Sequence, residues 1–345
     1  MSRFLLRGLL FTFGASLLML MGLVTTVRGE LAEPYYLEFS NSGRGSTNCR
    51  LLYYRQPLEC DYLDFDRATV LSPDGHWRAY VGPEASGDLA VFRVRVNGGT
   101  PHKTTALDFF DPYQTYDDLV WSPDGRWLAI PVARSTGGFN IVRINVATGI
   151  VEQLTTQSGD EWYPAWSPDG GQIAFNARDT LGGSGLFIMD ADGSNIHEPL
   201  PGLTQSFYPQ WSPDGEWLLF QTNCSEDVLR SLGERPCAAG HFDLYRLRLS
   251  DGHIEPLLTL PGDEYDPVWS PDGEWVAFTS RIDIDSQRTI FRIRPDGSDL
   301  QPVINDPTRS YFSPSWVRTP DNKWHPVILL TISLVMIGIV WRTKP

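Results

Sequence analysis

Acidic and aromatic residues recur immediately upstream of the tetrapeptide Ser-Pro-Asp-Gly. Three of these segments read TYDDLVW, GDEWYPAW and GDEYDPVW. Converging carboxylates focus a negative potential, and neighbouring aromatic faces attract cations. The chemistry expected of such a cluster is therefore the binding of a basic group, such as a basic peptide segment. The candidate binding residues are Asp117, Asp118, Asp160, Glu161, Trp162, Asp263, Glu264 and Asp266.

Two other interpretations of these acids stay open. A hard metal ion needs several carboxylate oxygens converging at about 2.4 Å, which sequence spacing does not establish. A metal ion is thus the weaker ligand hypothesis, and we assign no metal ligands and no cofactor. Alternatively, the acids cap loops or face water without binding anything.

Catalysis has little support in the sequence. The chain contains neither G-x-S-x-G nor H-E-x-x-H, the local motifs of a nucleophile elbow and of a zinc peptidase. We therefore assign no catalytic residues. A propeller enzyme built from residues scattered over several repeats remains the alternative.

The four cysteines are spaced as two local pairs. Cys49 and Cys60 are eleven positions apart, and Cys224 and Cys237 are thirteen apart. Four cysteines allow three connectivities, of which we expect the local one. Free core cysteines are the alternative. The absence of C-x-x-C argues against a zinc ribbon or a thioredoxin-type site.

The elements that must position the acids come from an internal repeat. The turn serines are Ser72, Ser122, Ser167, Ser212 and Ser270, so the spacings are 50, 45, 45 and 58 residues. Such a period fits a four-stranded propeller blade. Ser-Pro-Asp-Gly is a turn sequence, since proline sets φ at the second position and glycine takes positive φ at the fourth. Apolar runs on both sides make it a hairpin.

The repeat predicts an all-β, six-bladed propeller of four-stranded blades over residues 35–317. Five copies are complete, and Trp316 marks the first strand of a sixth. The remaining strands of that blade would come from the N-terminus, with candidates at Tyr35–Phe39, Leu51–Tyr54 and Glu59–Phe65. Closing the ring with strands from both termini would leave only short, protected edges.

The repeat resembles that of the TolB-type propeller family. The resemblance is carried by Trp-Ser-Pro-Asp-Gly, by the following IAF-like strand and by LFIMDADGSN at Leu186–Asn195. It implies the propeller fold over nearly all of residues 35–317. It says less about activity, because one fold hosts many functions. Relatives of this type include periplasmic partner-binding proteins and non-catalytic propellers of serine peptidases.

An arginine occupies the same place in four of the repeats. These residues are Arg93, Arg143, Arg246 and Arg292. A residue that recurs at one place in every repeat is expected to belong to the scaffold. We therefore expect ion pairs or packing between blades at these positions rather than a binding site.

Charge and terminal hydrophobicity restrict the partners. The formal net charge is −14, which argues against nucleic acid because phosphate binding needs clustered Lys and Arg. Gly8 to Val27 carries no charge and follows Arg3 and Arg7. We assign residues 1–28 to a signal anchor or signal peptide, with the uncleaved anchor favoured.

The C-terminus carries a second apolar segment. Residues 326–341 carry no charge, with Trp324 just before them and Trp341 at their end, which predicts a transmembrane helix after a linker at 318–325. Arg342 and Lys344 follow it, so the positive-inside rule places both termini in the cytoplasm if the first segment is uncleaved. The sequence thus predicts a cell-membrane protein whose propeller lies outside the cytoplasm.

Together these features predict a non-catalytic module of the cell envelope. We expect a membrane-anchored propeller that binds a protein or peptide partner outside the cytoplasm. The alternative is an extracytoplasmic propeller enzyme, a hydrolase or lyase acting on peptides or glycans.

Overall fold

Turn chemistry determines where the strands of each repeat begin and end. In the turn after Trp166, the Ser167 hydroxyl donates to Asp169 Oδ1 at 2.6 Å and accepts from the Gln172 amide at 2.8 Å. The amide of Gly170, at φ +72°, donates to the Ser167 carbonyl at 2.9 Å. The same bonds recur at Ser72, Ser122, Ser212 and Ser270. Each turn is therefore closed by its own serine.

We describe the fold from a computed structural model. It describes residues 35–41, 47–51, 59–61, 69–86, 88–96, 98–107, 118–134, 137–157, 159–178, 184–201, 203, 205–223, 241–281, 287–304 and 310–318. Both apolar terminal segments, Asp117, Cys224 and Cys237 lie outside these residues. Within the described ranges all regular structure is β-strand, and no helix there is long and apolar enough to cross a membrane.

The described residues contain the following strands. In chain order they are β1 (Tyr35–Asn41), β2 (Thr47–Leu51), β3 (Glu59–Asp61), β4 (Val70–Leu71), β5 (Trp77–Pro83), β6 (Leu89–Arg95), β7 (His102–Ala106), β8 (Val120–Trp121), β9 (Trp127–Ala133), β10 (Phe139–Asn145), β11 (Val151–Gln153), β12 (Asp160–Trp166), β13 (Gln172–Arg178), β14 (Ser184–Asp190), β15 (Ser206–Trp211), β16 (Trp217–Thr222), β17 (Asp243–Arg248), β18 (Ile254–Leu258), β19 (Asp263–Trp269), β20 (Val276–Arg281), β21 (Thr289–Ile293), β22 (Gln301–Pro302) and β23 (Tyr311–Arg318).

These strands form six sheets in the described part of the chain. Sheets 1 to 5 follow the chain as β4–β7, β8–β11, β12–β14, β15–β18 and β19–β22. Each is a meander of antiparallel neighbours. Sheet 3 has three strands, and a single bridge between Ile188 and His197 stands where its fourth would lie. The predicted all-β architecture is confirmed.

Sheet 6 joins the two ends of the described chain. Its order is β23-β1-β2-β3, so the last strand pairs with strands from the N-terminal region as predicted. The second of these strands lies at Thr47–Leu51 rather than at the predicted Leu51–Tyr54. In the β2–β3 pair, Cys49 is the Cα partner of Cys60.

The core consists of apolar layers between consecutive sheets. One layer joins sheets 1 and 2, and equivalent layers join each later sheet to the next up to sheet 6. Within β9, Leu128 and Ile130 face sheet 1, whereas Ala129 faces sheet 3. Both faces of a middle sheet are therefore buried, which explains why strands such as WLAIPVA are apolar throughout.

Candidate functional site at the inner strands

The first strand of each sheet contacts the first strand of the next. The sequence of contacts runs β4, β8, β12, β15, β19 and β23. In a propeller such strands surround the central channel. The residues that open these strands are therefore the ones that reach the mouth of the channel.

Each of three inner strands contains a β-bulge. The pairing register shifts between Trp162 and Ala165 in β12, between Phe207 and Gln210 in β15, and between Tyr265 and Val268 in β19. The residues at the bulges have left-handed backbones, with φ of +53° at Tyr163, +55° at Tyr208 and +51° at Asp266. Non-glycine residues rarely adopt this conformation.

Ser313 in β23 has the same conformation, at φ +53°. Each of the four left-handed residues precedes a proline. Proline has no N–H to donate to a ladder, so it is suited to a bulge. The motif X-Pro, four residues before the turn serine in sheets 3 to 5, is the sequence signal that the repeat analysis missed.

Buried amides of neighbouring sheets hold the bulges. Asn176 of sheet 3 is fully buried, and its Oδ1 accepts the Tyr208 amide of sheet 4 at 3.0 Å. Its Nδ2 donates to the carbonyls of Gly185 and Ser206. Gln221 of sheet 4 accepts the Asp266 amide of sheet 5 at 3.1 Å in the same way. Tyr208 and Asp266 are thus fixed from the adjacent sheet.

The bulges bring together side chains from different sheets. We call Asp118, Tyr163, Tyr208, Asp266 and Ser313 the inner ring. The rings of Tyr163 and Tyr208 stack with centroids 3.8 Å apart and planes at 27°. Burial raises the pKa of Tyr208, and the Tyr163 phenol and the charges of Asp266 and Asp118 raise it further. Residues of sheets 2, 3, 4 and 5 therefore share one electrostatic environment.

Asp266 is held on its sheet 6 side. Burial raises its pKa, whereas hydrogen bonding from Ser313 and the positive charge of Arg288 oppose that rise. Arg288 also lies over the Tyr265 ring at 5.0 Å. The mouth is consequently asymmetric, with a compensating cation beside Asp266.

Two of the predicted acids join neighbouring sheets. Asp160 of sheet 3 accepts the Phe139 amide of sheet 2 at 3.0 Å, and Arg134 lies 3.6 Å away. Asp263 of sheet 5 accepts the amide of Phe242 at 3.0 Å. Phe242 immediately precedes β17, the third strand of sheet 4. The Oδ1 of Asp263 also lies 3.4 Å from His241 Nδ1. Both carboxylates therefore have a structural task at the mouth.

Two other predicted acids lie beneath the mouth. Glu161 and Glu264 are 0% exposed. Glu161 accepts the Thr155 hydroxyl at 2.9 Å, and burial raises its pKa to about 7. Glu264 accepts the Ser280 hydroxyl at 3.1 Å. Burial, followed by the nearby charge of Asp243, raises the Glu264 pKa. Neither carboxyl can touch a ligand in this conformation.

The remaining predicted residues divide between the ring and its border. Asp118 and Asp266 belong to the inner ring. Trp162 lies beside it, 6.3 Å from the Phe139 ring and 5.7 Å from the Arg178 guanidinium. Asp117 lies outside the described residues. Tyr163, Tyr208 and Ser313 are the site residues that the sequence analysis did not assign.

Across the described ranges, no three His, Cys, Asp or Glu side chains are grouped as metal ligands would be. The inner ring instead combines carboxylates with stacked phenol rings, a set suited to cations of the ammonium or guanidinium type.

Comparison with known proteins identifies the fold. No protein-family model and no curated protein matches the chain. Solved structures do match: TolB from Acinetobacter baumannii has a TM-score of 0.63 at 17% identity, covering 82% of this chain and 67% of that one.

Two further similar structures come from other functional classes. A nidogen/laminin complex contains a chain with a TM-score of 0.58 at 10% identity, covering 82% of this chain and 98% of that chain. An oligogalacturonate lyase from Vibrio parahaemolyticus has a TM-score of 0.55 at 13% identity, covering 77% and 73%. Similarity at this level of identity defines the architecture and leaves the activity undefined. The chain therefore has a TolB-like β-propeller fold.

Proposed function

We propose that the protein is a non-catalytic propeller that binds a basic segment of a protein partner at the channel mouth. The observation that carries this proposal is the inner ring, in which four sheets contribute two stacked tyrosines and two aspartates. Strained non-glycine residues concentrate at functional positions. A solved propeller of this fold is found in a nidogen/laminin complex, which supports a protein partner in general.

A cation of the ligand would bind where Asp118 approaches the stacked tyrosines, because the charge of Asp118 reaches Tyr208. A lysine or arginine side chain there would contact a carboxylate and the edge of the Tyr163–Tyr208 stack. Asp160 and Asp263 would shape the mouth through their bonds to neighbouring backbones, and Glu161 and Glu264 would support it from below.

The test compares two variants that lose one negative charge each. The detergent-solubilised full chain is used to capture partners from envelope extracts, and its binding to short lysine-containing peptides is measured by fluorescence anisotropy. Asp118→Asn should weaken peptide binding about tenfold, as expected for a charged hydrogen bond. The difference should shrink at high salt. Glu198→Gln, which removes an exposed charge elsewhere, should have no effect.

Equal binding by the two variants, with both correctly folded, would reject the mouth as the binding site. Peptides in which glutamine replaces lysine serve as the ligand control. If they bind as well as the lysine peptides, the preference for a basic segment is wrong.

The alternative is a propeller enzyme acting on peptides or glycans outside the cytoplasm. It is favoured by the oligogalacturonate lyase that shares the fold. Incubation of the purified chain with oligogalacturonate, with detection of unsaturated products by their ultraviolet absorbance, separates the two functions. Product formation that is lost on denaturing the protein would establish the enzyme and exclude the non-catalytic proposal.

We also propose that the six described sheets are the six blades of one closed ring. The ordered contacts of the inner strands and the joining of β23 to β1 support it. The apolar segments at residues 8–27 and 326–341 support anchoring of this ring outside the cytoplasm. Resistance of the protein to alkaline extraction from membranes, with protease access to the propeller only from outside, is the expected result.

A further inference from the structure

An arginine stacks on a tryptophan in four of the sheets. In each, the arginine lies on the third strand and the tryptophan at or just before the start of the second. The guanidinium carbon lies 3.9 to 4.9 Å from the ring centroid in the pairs Arg93–Trp77, Arg143–Trp127, Arg246–Trp217 and Arg292–Trp275. Stacking leaves the edge of the guanidinium available for hydrogen bonds.

In sheets 2 and 4 a glutamate on the fourth strand occupies that edge. Arg143 Nε donates to Glu152 Oε2 at 2.7 Å, and Nη2 lies 2.6 Å from the same oxygen. Arg246 meets Glu255 Oε1 through the same two nitrogens, at 2.7 and 2.5 Å. In sheet 5 the amide oxygen of Gln301 takes this place beside Arg292. In three sheets, therefore, the edge of the arginine donates to an acceptor that the fourth strand of the same sheet supplies.

Sheet 1 has the arginine without the acceptor. The β6–β7 register places His102 opposite Arg93, where Glu152 and Glu255 stand opposite their arginines. The His102 ring instead meets the Trp77 ring edge-on, with centroids 5.8 Å apart. Within the described part of the chain, the buried Nε of Arg93 has no hydrogen-bond partner. A second cation, Arg95, lies 4.4 Å from Trp77.

Arg93 also lines a cavity. The cavity measures about 390 Å³ and lies between the first turns of sheets 1 and 2, where Trp77, Trp121, Pro73 and Pro123 form apolar walls. The turn aspartates Asp74 and Asp124 also border it.

These acids do not argue against a bound anion. In sheet 2, where the turn aspartate recurs as Asp124, Arg143 pairs with Glu152. Each turn aspartate is already occupied by the hydroxyl of its own serine.

We propose that Arg93 binds the carboxylate of an external acidic peptide in this cavity. The bound group would supply the acceptor that Glu152 and Glu255 supply in sheets 2 and 4, but would reach the guanidinium from the cavity, with Trp77 beneath the guanidinium and the prolines beside the peptide chain. The site lies at the turn end of the strands, whereas the inner ring lies at their other end. It therefore serves a second contact, independent of the proposed basic ligand.

The experiment uses ligand-observed NMR titration of the full chain in detergent micelles at constant ionic strength. The probes are acetyl-Gly-Glu-Gly-amide for an acidic side chain, acetyl-Gly-Gly-Gly with a free carboxylate for a chain terminus, and acetyl-Gly-Gln-Gly-amide as the neutral control. At least one carboxylate peptide should bind saturably, and the glutamine peptide should not. The stronger of the two carboxylate peptides identifies the source of the group.

Two variants test the role of Arg93: one removes its donors, and the other gives it an internal acceptor. Arg93→Met keeps the aliphatic stem on Trp77 but removes the donors, and it should weaken carboxylate binding about tenfold or more. His102→Glu should build the internal pair seen in sheets 2 and 4, so it should also lose peptide binding while its melting temperature does not fall. A third variant, Glu255→Ala, should open a second site at Arg246.

Several results would overturn the proposal. They are equal binding of the glutamine and carboxylate peptides, retention of binding in folded Arg93→Met, or retention in His102→Glu. Inorganic phosphate is the competing probe. If it binds more tightly than either carboxylate peptide, the assigned ligand class is wrong.

Discussion

Buried carboxyl groups are the unusual residues of this propeller. Glu161, Glu264 and Asp243 are 0% exposed, and burial is the largest cause that raises the pKa of each. Asp243 lies near Glu264, and each influences the pKa of the other. Two buried carboxyls in one place favour a shared proton over two charges. The folded protein therefore retains protons that the unfolded chain releases.

Stability should consequently fall as the pH rises. An unfolded glutamate titrates near 4.5, whereas Glu161 titrates at about 7 in the fold. Between these values the folded state binds more protons than the unfolded state, so the slope of the unfolding free energy with pH is negative. This contribution is fully present below about pH 4.5 and is lost as the pH passes about 7.

Replacing Glu161 by glutamine should remove part of this dependence. The amide keeps a donor and an acceptor but carries no charge. The decline in unfolding free energy between pH 5 and pH 8 should therefore be smaller in the variant than in the wild type, by about 1 kcal/mol or more. Urea unfolding at a series of pH values measures it. The exposed variant Glu198→Gln is the control and should follow the wild type. A Glu161→Gln profile parallel to the wild type would show that Glu161 is ionised throughout.

At the scale of the strand, the bulges decide which side chains reach the channel mouth. The repeat predicted the order of the elements and the turn that closes each hairpin, because both depend on local sequence. It grouped the acids upstream of the turns into one cluster, yet a bulge changes which of these residues face inward. Tyr163 and Tyr208 consequently enter the inner ring, while Glu161 and Glu264 point into the core.

The structural roles of Asp160 and Asp263 depend on contacts between sheets. Asp160 and Asp263 accept amides of Phe139 and Phe242, residues that lie 21 positions earlier in each case. Such partners follow from the packing of one sheet against the next, which the sequence pattern does not specify. The X-Pro motif was the local signal available, and it marks the bulge without identifying the ligand of the site.

The bulge in β15 should depend strongly on Asn176. Replacing Asn176 by alanine leaves the part-buried Tyr208 amide and the Gly185 and Ser206 carbonyls without this partner. At about 1 to 3 kcal/mol for each unsatisfied buried group, the unfolding free energy should fall by roughly 3 kcal/mol in urea titrations. Binding of lysine peptides should weaken in parallel, because Tyr208 loses its fixed position.

The matched control is Asn145→Ala. Among the described residues, the Asn145 side chain accepts the amides of Ala147 and Thr148 within its own turn and no others, so its loss should cost about 1 kcal/mol. Equal destabilisation by the two substitutions would contradict the role assigned to the link between sheets 3 and 4.

The paired strands place two cysteines opposite each other, and disulfide formation itself remains a prediction. Cys49 and Cys60 are opposite residues of the β2–β3 pair. Opposite Cα atoms in antiparallel strands are about 4.5 to 5.5 Å apart, which lies within the range of disulfides. Peptide mapping without reduction should recover residues 49 and 60 in one linked fragment, and Cys224 with Cys237 in another. Free thiols at Cys49 and Cys60 in protein isolated from membranes would contradict this pairing.

At the scale of the whole molecule, the repeated sheets are stabilised by their neighbours. Each apolar layer is shared by two sheets. Sheet 5, the last sheet built from consecutive strands, therefore needs a partner for its outer face. Sheet 6 meets this need by combining β23 with three strands from the start of the chain. Tyr311 of β23 is fully buried and packs in the last apolar layer.

Removing the N-terminal strands should therefore weaken the whole propeller rather than sheet 6 alone. A chain that begins at residue 69 lacks β1, β2 and β3, so β23 becomes an unpaired edge, which is a template for aggregation. We expect its unfolding free energy to fall by more than about 2 kcal/mol, and its soluble fraction to decrease. A peptide spanning residues 35–61, added in trans, should restore both by pairing with β23. A chain that begins at residue 35 keeps all described strands and serves as the control. If the chain that begins at residue 69 unfolds at the same urea concentration as this control, closure through sheet 6 does not stabilise the fold.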